Sequence, residues 1–109
     1  MTQALKQPRY DRRMFAGAGV DAIRESIERD GWSPIVIDDR PRAVYPEHAH
    51  EAAKLLVFLR GSMEVETGDQ RYNCTPGDRP VISGSMRHAA RVGQDGCTFF
   101  WSAQVRGNA

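Results

Sequence analysis

The sequence predicts an all-β domain, a small barrel or sandwich with one short helix near its N-terminus. Three observations carry that expectation. Short runs of β-branched and aromatic residues recur from Ile35 to Ala103, enough for seven or eight strands at close spacing. Turn-forming clusters divide them at Asp38-Asp39, Gly61, Thr67-Gly68-Asp69-Gln70, Pro76-Gly77-Asp78, Ser83-Gly84-Ser85 and Gly93-Gln94-Asp95-Gly96. Only the stretch from Val20 to Asp30 has the apolar spacing of an amphipathic helix.

Taken in order, residues 1–19 are polar and punctuated by Gly17 and Gly19, which predicts an irregular arm with a short strand near Met14-Phe15. Lys6, Arg9, Arg12 and Arg13 make this arm mildly basic, and a solvated arm is the better reading than a binding tail. Residues 20–33 form a helix and linker. Val20, Ile23 and Ile27 fall on one face opposite Arg24, Glu25, Glu28 and Arg29, Gly31 supplies a C-cap, and Pro34 blocks continuation.

The β-domain spans residues 34–104, and residues 105–109 form a tail. Ile35-Val36-Ile37 is a short β-branched strand. Arg42 to His50 is extended but interrupted by Pro46, which points to an edge position or a bulge. Lys54 to Leu59 is almost continuously apolar, as expected of a strand covered on both faces. Gly61 predicts a tight turn. Met63 and Val65 then alternate with Glu64 and Glu66, and the turn at 67–70 closes a hairpin onto Arg71–Cys74. Val81-Ile82, His88–Val92 and Cys97–Ala103 complete the strands.

The bulk properties narrow the function. A chain of 109 residues makes one domain with a real core. A net charge of +1 with 27% charged residues sets up no field for nucleic acid or an anionic membrane, and the helix is too isolated for a helix-turn-helix. No apolar run suits a signal peptide or a membrane span, so the expectation is a cytoplasmic protein. Cys74 and Cys97 make no disulfide framework and read as free thiols on strands, with a place beside the functional site left open. Phosphate-loop, dinucleotide and G-x-S-x-G motifs are absent, and no acid is placed to make a nucleophile of Ser83 or Ser85 with His88.

The chemistry-bearing residues are the three histidines. His48 and His50 form an H-x-H pair in an extended stretch, and the two-residue period of a strand points both to one face. His88 lies 38 residues beyond His50, and a barrel or sandwich can bring it opposite them. Three neutral imidazoles converging on one point suit zinc, copper, nickel or iron.

These residues also carry a family resemblance. The run His48-x-His50-x-x-x-Lys54-x6-Gly61 resembles the first motif of the cupins, and Gly77-Asp78 through His88 resembles the second. The resemblance extends from about Ile35 to Trp101, with a short spacer at residues 62–76. It implies a small jelly-roll β-barrel, a homodimer, and a divalent transition metal (Fe, Mn, Ni, Cu or Zn) held by His48, His50 and His88. The sequence departs from the pattern at three places. Ser83 and Ser85 stand at the motif's proline and glycine, Val92 at its asparagine, and Lys54 where the family usually has a glutamate ligand.

That lysine changes the chemistry. An ammonium about 5 Å from a dication at an effective dielectric of about 20 is repelled by several kcal/mol. Lys54 would lose its proton, swing away to pair with a carboxylate, or share an anion with the metal. The last would give it a role in anion recognition or proton transfer; a lysine paired with a nearby acid at the barrel mouth is the structural alternative. Strand parity points Glu47 and Glu51 away from the histidine face, although a bulge or slip would bring Glu51 onto it.

By the same parity Leu56, Phe58, Met63, Val65 and Tyr72 face inward, joined by either Phe99 and Trp101 or Phe100, so the expected cavity is an apolar small-molecule pocket. Arg60, Arg79, Arg87 and Arg91 are candidates for anion recognition at its mouth, each more simply read as a surface charge. Two functional readings follow. One is a metal-dependent cupin enzyme of oxygenase, lyase or isomerase type acting on a small, anionic molecule. The other is a non-catalytic domain that binds or senses a small molecule or a metal.

Overall fold

A computed structural model describes residues 9–103 of the protein. The elements run β1 (Arg9–Asp11), α1 (Val20–Arg29), β2 (Ile35–Asp39), β3 (Val44–His48), β4 (Lys54–Thr67), β5 (Gln70–Cys74), β6 (Arg79–Ile82) and β7 (His88–Ala103). The expected tail at 105–109 lies outside the described residues.

The seven strands form one antiparallel sheet ordered β1-β6-β4-β7-β2, with β3 added to β7 and β5 to β4. Among the described residues it is a small jelly-roll all-β fold with one helix. Two long bent strands do the work expected of four short ones. Gly61 does not end a strand: β4 continues through it for 14 residues, with register shifts against β7 at Phe58/Arg60 and Gly61/Met63. The Gly93–Gly96 stretch likewise lies inside the 16-residue β7. Irregularities of this kind bend a strand so that its two halves serve two walls of a barrel. The first half of β4 pairs with β6 and the second with β5, while β7 takes β3 near its start and β2 near its end. Gly61 has φ of +76°, and a Cβ there would collide with the Gly96 carbonyl oxygen.

Alternation along β4 divides the core in two. Leu56, Phe58, Met63 and Val65 enter the barrel, where Cys74, Ile82, Val92, Cys97 and Phe99 meet them. Leu55 and Val57 point outward with Phe100 and are covered by Ile23 and Ile27 of α1. The apolar run at 54–59 is therefore covered on both faces, as its composition predicts. Its outer cover is the chain's own helix, so that face is not free to be a subunit interface. Burying Ile27, Leu55, Val57 and Phe100 contributes roughly 1.5–3 kcal/mol each relative to exposure, and it docks the helix.

The helix ends as expected. Gly31 takes φ of +94°, and its N–H donates to the Glu28 carbonyl while that of Trp32 donates to the Ile27 carbonyl, the paired bonds of a Schellman cap. Val20, expected on the apolar face, stands exposed at the first turn. The strand expected at Met14-Phe15 falls instead at Arg9–Asp11, paired with Arg79–Val81 of β6, and residues 12–17 form turns. Local propensity at Arg-Tyr-Asp carries no strong strand signal. The strand exists because β6 offers an open edge and because Asp78 anchors the arm. The buried Asp78 carboxylate accepts hydrogen bonds from the Thr75 and Arg13 backbone N–H groups and from the Tyr10 hydroxyl, at 2.8, 2.7 and 2.9 Å. Burial alone would raise its pKa, but these bonds outweigh it and hold the carboxyl below its ordinary value. Beside it, buried Arg79 lies 3.4 Å from Asp11 and 3.5 Å from Asp30, tying the arm and the helix end to the barrel.

Candidate metal centre

His48 ends β3 and His88 begins β7, and the two are direct register partners. The β3–β7 register shifts between Tyr45 and His48, beside Pro46, where the sequence predicts a bulge or an edge. His50 lies just past the end of β3, held by the Ser85 N–H, which donates to the His50 carbonyl at 2.6 Å. Ser85 makes this bond at φ of +66°, a left-handed conformation that explains why the family pattern has glycine there.

The three rings converge. Centroids of His48 and His88 are 4.3 Å apart, His48 and His50 4.7 Å, and His50 and His88 5.5 Å. One nitrogen from each imidazole lies within 4.8 Å of those of the other two. Nδ1 of His48 lies 2.6 Å from the Pro46 carbonyl oxygen, and Nδ1 of His88 lies 3.0 Å from that of Met86. Carbonyls only accept, so each Nδ1 donates, and in the neutral ring that tautomer leaves Nε2 its lone pair. Burial pushes the His50 pKa down, helped by the charges of Lys54, His48 and His88. Burial also lowers that of His88, against the opposing Met86 bond and with help from His48 and Lys54. In their neutral form imidazoles are donors a transition dication takes, and backbone carbonyls holding the far nitrogens, as at His48 and His88, are a usual outer support.

The imidazoles border a cavity of about 340 Å³. Its remaining walls are Ile37, Tyr45, Leu56, Met63, Val65, Ile82, Ala90, Phe99 and Trp101, with Lys54. Of the two alternatives for β7, Phe99 and Trp101 face this space and Phe100 packs under the helix. Phe58 and Tyr72, expected in the lining, are not part of it. Phe58 is fully buried in the barrel core against Phe99, and Tyr72 makes an edge contact with Tyr10 at 4.8 Å. Both belong to the core cluster beside the cavity rather than to its lining.

Lys54 places its Nζ over the Trp101 ring, 5.0 Å from the centroid. Among the described residues no carboxylate pairs with it. Glu47 turns outward to Arg87 at 3.3 Å, and Glu51 is exposed and outside the histidine cluster. Arg79 is committed to Asp11 and Asp30, and neither Arg60 nor Arg91 lines the cavity. Cys74 and Cys97 are buried free thiols away from the lining, each pushed up to about 12, chiefly by burial. A second, wider surface groove of about 590 Å³ lies along Asp38, Arg40, Arg60 and Asp95 and contains none of the histidines.

Residues that parity along single strands does not reveal are Ile37, Tyr45, Ile82 and Ala90. Ile37 enters because it is the register partner of Phe99, and Tyr45 because it pairs with Ala90. The Tyr45 hydroxyl donates to Asp39 at 2.6 Å, and burial with that acidic partner pushes its pKa up to about 12.

Residues 32–105 match the family described as AraC-like ligand binding domain. No curated protein matches the chain. Among solved structures, KdgF from Halomonas sp. is similar at TM-score 0.59 and 22% identity, over 71% of this chain and 72% of that one. An RmlC-like cupin from Shewanella frigidimarina is similar at TM-score 0.59 and 18% identity, over 71% and 69%. Oxalate decarboxylase from Bacillus subtilis is similar at TM-score 0.63 and 18% identity, over 80% of this chain but 24% of that one. These likenesses are of fold.

Proposed function

Because the chain belongs to the family of AraC-like ligand binding domains and is a cupin, we propose that it is a metal-binding protein whose barrel cavity takes a small molecule. His48, His50 and His88 hold one divalent transition ion, from the group Fe, Zn, Ni, Mn and Cu. The observation that carries this reading is the convergence of three imidazoles, two with Nδ1 occupied by a carbonyl, on one side of an apolar cavity. An ion held by three ligands keeps positions open to a ligand and supplies Lewis acidity there. The protein's own contribution is to exclude water with Leu56, Met63, Phe99 and Trp101 and to orient the bound molecule against the imidazoles.

On this reading the protein acts as an enzyme of oxygenase, lyase or isomerase type. The family match favours a second reading, a domain that binds its ligand without turnover. In either case the protein is taken to be cytoplasmic and homodimeric, and Ile35, Val36 and Val44, exposed on β2 and β3, are the apolar surface available to a second copy. Among the described residues no helix is long and apolar enough to cross a membrane.

Metal content of untagged protein, measured by mass spectrometry beside His50→Ala, tests the reading. Near-stoichiometric metal in the wild type, lost in the variant, is the expected result. Wild-type protein that refuses each added dication while folded would overturn it. Turnover of cavity ligands by the loaded protein then separates the enzyme from the binding domain.

A further inference from the structure

We propose that the molecule this cavity takes is a monocarboxylate with a compact hydrocarbon body, its carboxylate held by Lys54. The inference rests on the reading of the cavity as a metal-containing ligand site. Lys54 is half-buried and lines the cavity beside the three histidines. Its ammonium carries three donors, and the Trp101 face satisfies its charge without accepting all of them. Among the described residues it has no carboxylate partner, although buried lysines are normally paired. With an ion on the imidazoles the site gains a second positive centre, and no acid among the cavity residues offsets either. An anion is the missing partner, and one carboxylate placed between Lys54 and the ion turns their repulsion into two attractions.

The other walls define the rest of the molecule. Leu56, Met63, Val65, Ile82 and Phe99 present hydrocarbon. The Tyr45 hydroxyl, which would otherwise serve a ligand, donates to Asp39. A polyol would set its hydroxyls against surfaces that return few hydrogen bonds, whereas a hydrocarbon body loses nothing there. No arginine lines the cavity, so a second carboxylate would find no cation of its own. A volume of about 340 Å³ limits the body to a ring or a short branched chain.

The test is calorimetric titration of the full-length, metal-loaded protein with phenylacetate, phenylacetamide and malate, with metal content measured on every sample. The wild type is expected to bind phenylacetate at least tenfold more tightly than either the amide or malate. Lys54→Met should erase the margin over the amide, bind the amide as the wild type does, and hold the same metal. Lys54→Gln serves the same purpose where the Met variant does not fold. A loaded wild type with no preference for the acid overturns the proposal, and so does a folded, loaded variant that keeps the preference, because the metal alone then reads the carboxylate. A folded protein that refuses added metal yet prefers the acid, and loses the preference with Lys54, supports the lysine's role while removing the metal reading.

Discussion

His48 and His88 are cross-strand partners on β3 and β7, with ring centroids 4.3 Å apart. They are 40 residues apart in the chain, yet the strand register alone brings them side by side. His50, beyond the end of β3, completes the group, its carbonyl accepting from the Ser85 N–H. Two of the three imidazoles are thus positioned by a sheet and the third by a loop, and both kinds of support can be tested separately.

The donor set predicts a spectroscopic outcome. Cobalt(II) added to the wild type should give the visible bands of a low-coordinate site with imidazole ligands, and His48→Ala and His88→Ala should each abolish them. Glu47→Ala and Glu51→Ala should leave the bands intact, because neither carboxylate belongs to the cluster. A changed spectrum in Glu51→Ala would show that a carboxylate joins the site.

Ser85→Gly relieves a left-handed residue without removing the backbone bond to His50. The gain from lost strain is partly offset by the greater entropy of an unfolded glycine, so the expected stabilisation is modest, up to about 1 kcal/mol. A urea titration reads it as a higher midpoint with unchanged slope. Metal affinity should be unaltered.

Gly61→Ala should do the opposite. An alanine there meets both an unfavourable positive φ and the Gly96 carbonyl oxygen, so β4 and β7 must separate at their shared bend. The expected loss is about 2–4 kcal/mol. Thermal unfolding measures it, and a variant as stable as the wild type would mean that the bend is soft.

Asp78→Asn should cost about 2–4 kcal/mol at neutral pH, because an amide accepts less strongly and presents donors to donors. The pH dependence has a definite sign. The folded pKa of Asp78 lies below the ordinary aspartate value of 3.8, so its stabilisation is fully present above that value and is lost as pH falls through the folded pKa. The gap between wild type and variant, measured by denaturant unfolding, should narrow steadily below about pH 4.

Much of this protein was legible along the chain. The continuous apolar run Lys54–Leu59, the alternation of Met63 and Val65 with Glu64 and Glu66, the helical spacing of Ile23 and Ile27 and the cap at Gly31 are local patterns, and each appears where the sequence puts it. The histidine spacing, with Gly61 and Gly77, pointed to a cupin barrel and to the residues that converge. Other features were hidden because they belong to pairs of distant segments. The strand at Arg9–Asp11 exists through β6 and Asp78, and Phe58 and Tyr72 are drawn into contacts with Phe99 and Tyr10 rather than into the cavity lining.

The sequence by itself therefore determined the fold class, the helix and the three candidate imidazoles, since backbone period and residue chemistry are local properties. Only the tertiary structure decided that Gly61 and Gly93–Gly96 bend strands rather than end them, that Phe99 and Trp101 rather than Phe100 face the cavity, and that Lys54 rests on Trp101 without an acidic partner among the described residues. Register, bulges and side-chain partners arise from contacts between segments far apart in sequence, and no local pattern encodes which of them will meet.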